Sequence, residues 1–192
     1  MRKIVVVENL SLDGVMQAPG APDEDVRGGF EHGGWALPYN DAVMGDEMGK
    51  GMGTTDLLLG RRTYERFFAY WPNRPDPNPF TEVLNNSQKY VASTTLTEPL
   101  PWANSTLLTG DAAGAVAELR EQSGKDVVVL GSGELVQSLM LHELVDEYRL
   151  LVHPLVLGSG SRLFRDGGPF AELRLTGSVT TTTGVVIATY RP

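Results

Sequence analysis

The sequence predicts an α/β domain: a mainly parallel sheet covered by helices on both faces, with an antiparallel hairpin closing the C-terminal end. Three observations predict it. Short continuous apolar runs, the mark of strands buried on both faces, recur as Ile4-Val5-Val6-Val7, Leu57-Leu58-Leu59 and Val127-Val128-Val129-Leu130. Helix-like segments lie between such runs through most of the chain. The last two strand-like segments follow each other directly, joined by Thr-rich sequence and Gly184. A chain of 192 residues supplies one full core and is short for two, and neither a repeat nor a linker interrupts it, so a single domain over 1–192 is expected.

Each element follows from local pattern. Ile4 to Asn9 reads as a buried strand, and Ser11-Leu12-Asp13-Gly14 turns the chain. Gln17 to Gly34 is rich in Gly, Pro and acid and has no apolar period; a connection of that length in a compact domain tends to be a lid or binding loop. Pro38 to about Gly49 is predicted as a helix with proline near its first turn. Asp56 to Gly60 is a short strand, followed by a helix over Arg62 to Tyr70 that Trp71-Pro72 ends. Asn73 to Pro79 reads as a rigid loop and Phe80 to Asn86 as a short helix. Lys89 to Ala92 and Thr106 to Leu108 are strands. Asp111 is placed to cap a helix over Ala112 to Gln122, with Gly124 as its stop. A strand over Asp126 to Leu130 and a helix over Glu134 to His142 come next. Tyr148 to Leu157 reads as a long strand interrupted by Pro154. Leu173 to Val179 and Val185 to Tyr190 form the closing pair.

Composition narrows the function. The hydrophobic fraction of 41% and charged fraction of 21% are those of an ordered globular chain. The net charge of −8, with basic residues scattered, argues against a nucleic-acid partner. The chain has no cysteine, which excludes disulfides, thiolate metal sites and cysteine nucleophiles. The apolar run after Met1-Arg2-Lys3 is too short for a signal peptide, and no segment approaches the ~20 apolar residues of a membrane span. A soluble, cytoplasmic protein is expected.

Two strand-to-helix junctions stand out. In Leu58-Leu59-Gly60-Arg61-Arg62-Thr63-Tyr64-Glu65 a buried strand ends at glycine and a helix opens with two arginines and a threonine. Free N–H groups at a helix start bind anions, and guanidinium groups make charge-assisted contacts to phosphate. Cations there oppose the helix dipole, a local conflict that points to a site, although a solvated basic turn with Thr63 as cap reads equally well. In Val128-Val129-Leu130-Gly131-Ser132-Gly133-Glu134-Leu135 a Gly-Ser-Gly turn joins strand to helix. It suits either a pyrophosphate or a plain tight turn, because Val136 stands where a third fingerprint glycine would be and Glu134 would repel a close phosphate. Ser93-Thr94-Thr95 offer hydroxyls at another strand end. All three segments fall at strand carboxyl ends, where open α/β sheets bind ligands. No metal centre is expected, since His32, His142 and His153 have no ligand spacing; His142 reads as the end of a helix and His153 as packing within a strand.

Ser11-Leu12-Asp13-Gly14, Gly60 to Glu65, Gly131-Ser132-Gly133-Glu134-Leu135 and Pro154-Leu155-Val156-Leu157-Gly158-Ser159-Gly160, in that order, resemble the dihydrofolate-reductase-like superfamily. The resemblance spans nearly the whole chain and lies with the branch of the riboflavin-pathway reductase C-terminal domain, in its stand-alone bacterial form. It implies a three-layer fold with a central mixed sheet of about eight strands, NADPH along the carboxyl edge of the sheet, and a homodimer. Gly60, Arg61, Arg62 and Thr63 would meet phosphates. Ser93 and Thr94 would lie near the adenosine ribose and its extra phosphate. Leu130, Gly131, Ser132, Gly133, Glu134 and Leu135 would hold the pyrophosphate and nicotinamide half, and Asp13, Gly14 and Val15 would flank the nicotinamide.

The chain departs from the pattern in one place. Trp35-Ala36-Leu37-Pro38 is similar to the stretch that leads dihydrofolate reductases into the helix bearing the pterin-binding acid. Here that place falls on Asn40, with Asp41 one residue late, a rotation of ~100° on a helix. The expected activity is an NADPH-dependent reductase that transfers hydride to a small heterocyclic, pterin- or pyrimidine-like, or carbonyl substrate. Asp13 and Asp41 are its candidate proton relays, and Trp35 and Phe30 its candidate substrate covers. The alternative is a catalytically silent nucleotide-binding protein of the same fold. A deaminase role is excluded, because its zinc site needs cysteines.

Overall fold

A computed structural model describes residues 1–51, 53–74 and 79–192. Eight strands form a sheet in the order β4-β3-β2-β5-β1-β6-β8-β7. β1 is Ile4–Ser11, β2 Asp56–Gly60, β3 Lys89–Ala92, β4 Ser105–Leu108, β5 Val127–Leu130, β6 Glu147–His153, β7 Arg174–Thr180 and β8 Val186–Arg191. The helices are α1, Ala42–Gly49; α2, Arg61–Tyr70; α3, Pro79–Asn86; α4, Ala112–Glu121; and α5, Gly133–Leu141. The chain divides into two compact units: Met1–Val5 with Gly51–Val145, and Val6–Lys50 with Asp146–Pro192.

In the first unit β2 pairs in parallel with β3 and with β5, and β3 in parallel with β4. Parallel neighbours need crossover connections: α2 and α3 lie in the one from β2 to β3, whereas residues 93–104 join β3 to β4 without a helix. Leu57, Leu58 and Leu59 are all buried, as two covered sheet faces require. One core cluster joins Leu57, Leu59, Tyr64, Leu84, Val91 and Trp102. The Tyr64 hydroxyl accepts from the Trp102 backbone N–H at 3.0 Å. Buried Lys89 donates to the carbonyls of Leu84 at 2.8 Å, Asn85 at 3.3 Å and Ser87 at 2.7 Å, so an ammonium closes the C-terminal end of α3. Its Nζ lies 4.6 Å from the Trp102 ring centroid. Arg2 is likewise buried and ion-paired with Asp56. The Asp111 carboxylate caps α4, accepting from Gly114 N–H at 2.8 Å, as the sequence predicts.

In the second unit β6 and β7 both pair antiparallel with β8, which is the closing hairpin. Met44, Leu151, Val185 and Ile187 form a core with Val7, Tyr39 and Met48 against it. Two expected elements differ. The predicted helix from Pro38 to Gly49 is split into a 3-10 turn at Leu37–Tyr39 and α1, because Asn40 and Asp41 are extended and Asp41 caps α1. The strand expected to run to Leu157 stops at His153: Pro154 lacks an N–H, and Leu155 N–H turns back to the His153 carbonyl at 2.8 Å. Of the expected rigid loop from Asn73 to Pro79, residues 75–78 lie outside the described residues.

Candidate functional site

In the first unit the carboxyl ends of β2, β3, β4 and β5 point the same way, because the strands are parallel, and Gly60 pairs with Ala92. Two of these ends are tied together. Gly60 N–H donates to Ser132 Oγ at 2.9 Å, and Ser132 Oγ–H donates to Thr63 Oγ1 at 2.9 Å. Ser132 is the N-cap of α5 and takes the left-handed conformation, φ 65° and ψ 45°. Gly131 before it also has a positive φ, +58°. A side chain in the left-handed region costs of order 1 kcal/mol, and it persists where surrounding bonds hold it. Here the two hydroxyl bonds hold it.

Arg61 and Arg62 open α2 with their side chains half exposed. The predicted conflict with the helix dipole is relieved inside the protein. Arg61 lies 3.6 Å from Glu65 one turn along, and Arg62 Nη1 lies 3.2 Å from Glu134 Oε1 in the first turn of α5. Thr63 is not the helix cap; Gly60 occupies that position. Ser93 lies just past β3, where its Oγ accepts from Thr95 N–H at 3.1 Å and Leu96 N–H at 3.0 Å, and Thr94 is exposed. Leu130 and Leu135 supply apolar flanks to the Gly131–Gly133 turn, Leu135 being buried.

In the second unit Asp13 organises the loop that follows β6. Its carboxylate accepts from Ser11 Oγ–H at 2.7 Å, Leu157 N–H at 3.0 Å and Gly158 N–H at 2.9 Å. Arg162 lies 3.5 Å from the same carboxylate and donates through Nε to the Asp13 carbonyl at 2.8 Å. The Ser11 hydroxyl first, then the Leu157 amide, hold the carboxyl down at about 2. Gly14 and Val15 continue this arrangement: Leu163 N–H donates to the Gly14 carbonyl at 3.2 Å, and fully buried Val15 bridges to Arg162.

Trp35 is buried, and its Nε1–H donates to the Gln17 carbonyl at 2.7 Å. Its ring meets His153 edge-on at 5.1 Å, and Tyr39 meets the same imidazole at 5.4 Å. His153 is fully buried, with Nε2 3.0 Å from Asn9 Oδ1 and Nδ1 without a partner. Burial pushes its imidazole down to about 4, so it is neutral near pH 7. Asp41 caps α1 through Met44 N–H at 2.8 Å and accepts from the Thr182 N–H and hydroxyl, both at 2.6 Å. The Thr182 hydroxyl leads the groups that hold its carboxyl below the usual range. Glu8 is buried with Oε1 unpartnered; burial first, then the Glu24 carboxylate, push it well above the usual range.

The loop from Gln17 to Gly34 buries Ala18 and Phe30 against Val15, Trp35 and Ala36. Beside it is a cavity of about 300 Å³ lined by Gln17, Arg27, Phe30, Ser159, Gly160 and Ser161. Gly160 has no room for a side chain: a Cβ would lie 2.7 Å from Val15 Cγ1 and 2.8 Å from the Phe30 ring. Sequence reasoning missed the Ser132 tie, the Asn9–His153 pair and Glu8. An acid inside an apolar strand run was the one available signal, and it marked Glu8. Among the described residues no His, Asp and Glu side chains cluster as metal ligands, and no helix is long and apolar enough to cross a membrane.

Residues 2–187 match the RibD C-terminal domain family. The Bacillus subtilis (strain 168) protein YyaP is 32% identical over 150 residues, covering 72% of this chain and 78% of its own. A structure from Shewanella sp. PV-4 bearing a riboflavin-biosynthesis name superposes with a TM-score of 0.68 at 20% identity, covering 98% of each chain. Dihydrofolate reductase from Enterococcus faecalis, complexed with NADP(H) and RAB-propyl, gives a TM-score of 0.63 at 12% identity over 98% of this chain and 95% of its own. These two structures establish a dihydrofolate-reductase-like fold.

Proposed function

Because the chain belongs to the RibD C-terminal domain family, a reductase-like family, we propose that it is an NADPH-dependent reductase acting on a small heterocyclic or carbonyl substrate. The observation that carries the reading is the Ser132 tie, which holds the Gly60 and Gly131 turns together beside the exposed guanidinium groups of Arg61 and Arg62. Two helix starts and two cations held by short turns fit the phosphates of a dinucleotide. Arg61, Arg62 and Thr63 would hold phosphate oxygens, Gly131, Ser132 and Gly133 the pyrophosphate, and Ser93 and Thr94 the ribose end. Leu130, Glu134 and Leu135 would border the nucleotide. When bound, the reduced nicotinamide supplies hydride; the chain orients the reactants and excludes water. The cavity beside Phe30 is of a size for a small flat ring and is proposed to take the substrate. The assembly is proposed to be a cytoplasmic homodimer of single-domain chains.

The decisive experiment is titration with NADPH and with NADH, following nicotinamide fluorescence, repeated on Arg62→Ala. The expected result is saturable NADPH binding, weaker NADH binding, and about a tenfold loss for the variant, the scale of one charge-assisted hydrogen bond. No binding of either nucleotide by the unaltered chain would overturn the reading.

One observation favours the second reading, a nucleotide-binding protein without turnover. Asp13 and Asp41 both stay ionised near neutral pH and spend their oxygens on local donors. On that reading a reductase built on this chain would take its proton from elsewhere, such as solvent. Its rate would show no carboxylate titration from either between pH 5 and 8, and a stepped pH profile traced to Asp13 or Asp41 by substitution would contradict this.

A further inference from the structure

We propose that Glu134 is an internal competitor for Arg62, a displaceable anion that sets how tightly the first unit holds a phosphorylated ligand. The inference rests on the nucleotide reading above and concerns the regulation of that same site.

Arg62 is the second residue of α2, where the helix dipole disfavours a cation. Glu134 is in the first turn of α5, where the dipole favours an anion. The two meet at 3.2 Å although 72 residues apart in sequence. Ser132 fixes that approach, since its hydroxyl binds both Gly60 N–H and Thr63 Oγ1. The backbones are therefore set, and only the two side chains are adjustable.

Both side chains are open to water, Arg62 at 53% and Glu134 at 67% exposure. An exposed pair of this kind is weak and readily exchanged. The pyrophosphate bridge of a dinucleotide carries about two charges at pH 7 and several acceptor oxygens, so it outcompetes one carboxylate for a guanidinium. Glu134 directly follows the Gly131–Gly133 turn, so a phosphate arriving there meets the carboxylate and drives it outward. Occupying Arg62 thus requires breaking the internal pair. Glu134 weakens phosphorylated ligands as a class and leaves ligands without charge at Arg62 nearly unaffected. Arg61 differs, because its partner Glu65 is on its own helix and 3.6 Å away.

The test compares Glu134→Gln with Glu118→Gln, an exposed site on α4 that makes the same charge change. NADPH is titrated into each full chain at low and high salt, with inorganic pyrophosphate as a second probe read by thermal shift. Glu134→Gln is expected to bind NADPH about three- to tenfold tighter than Glu118→Gln at low salt, with the gap closing at about 1 M salt. In an Arg62→Ala background the gain should vanish. Equal or weaker binding by Glu134→Gln, or a gain that survives Arg62→Ala, would overturn the proposal while leaving the nucleotide reading intact. If the unaltered chain binds neither NADPH nor pyrophosphate, the nucleotide reading fails and this inference fails with it.

Discussion

The turn around Arg62 and the loop around Asp13 use their charged side chains in opposite ways. In the first, Arg61, Arg62 and Glu134 lie half exposed in loose pairs. In the second, the oxygens of Asp13 are committed to backbone amides and a hydroxyl, as are those of Asp41 elsewhere in the same unit, where His153 and Glu8 are sealed inside. Loose surface charges can be taken over by a ligand, whereas committed ones hold loops in shape. On the proposed reading the Arg62 turn would receive an anion, and the loop around Asp13 would hold a fixed wall for a small cavity.

Substitutions can break or sharpen that contrast. The largest effect is expected from Asp13→Ala, which strips Ser11, Leu157, Gly158 and Arg162 of an acceptor: a loss of about 2–3 kcal/mol in urea unfolding, with the loop after β6 becoming protease-sensitive. Because Asp13 titrates at about 2 in the folded chain against 3.8 ordinarily, its contribution is present above pH 3.8 and is lost as pH falls toward 2. The variant should lack that acid step. An unchanged acid transition would show that Asp13 is not a structural anion.

Lys89 carries the sharpest test in the first unit. Burial pushes its ammonium down from 10.5 to about 8. Between those values the unfolded chain binds the proton that the folded chain has released, so this group makes stability rise with pH across that window. Lys89→Met should flatten the rise and also destabilise the protein by about 1–2 kcal/mol, by leaving the end of α3 without its donor. Melts at pH 8 and pH 10 measure both. The smallest effect is expected from Asp41→Asn, which keeps a capping oxygen: a slightly lower melting temperature and no change in nucleotide titration. A large loss of turnover in that variant would give Asp41 a chemical role and break the contrast.

How much was legible in the sequence follows the range of the forces involved. Leu57 to Leu59 announced a parallel strand because burial on both faces leaves no alternation, and Val127 to Leu130 did so although Val128 and Leu130 are only partly buried. Asp111 announced a cap because capping is local. The division of the Pro38–Gly49 segment was not legible, since Asp41 is held partly by Thr182, 141 residues away. The arginine turn was legible as a place of conflict. Its partner was not, because Glu134 reaches Arg62 only after two distant strands have paired side by side.

Ser132 narrows what evolution or an engineer can write at that position. Alanine would keep the strained backbone and lose both hydroxyl bonds; glycine would relax the backbone and lose them as well. Threonine keeps the hydroxyl but adds a branched carbon where positive φ leaves least room. The position therefore has close to a single solution. A screen of all substitutions there, scored for folding, should return a steep peak at serine.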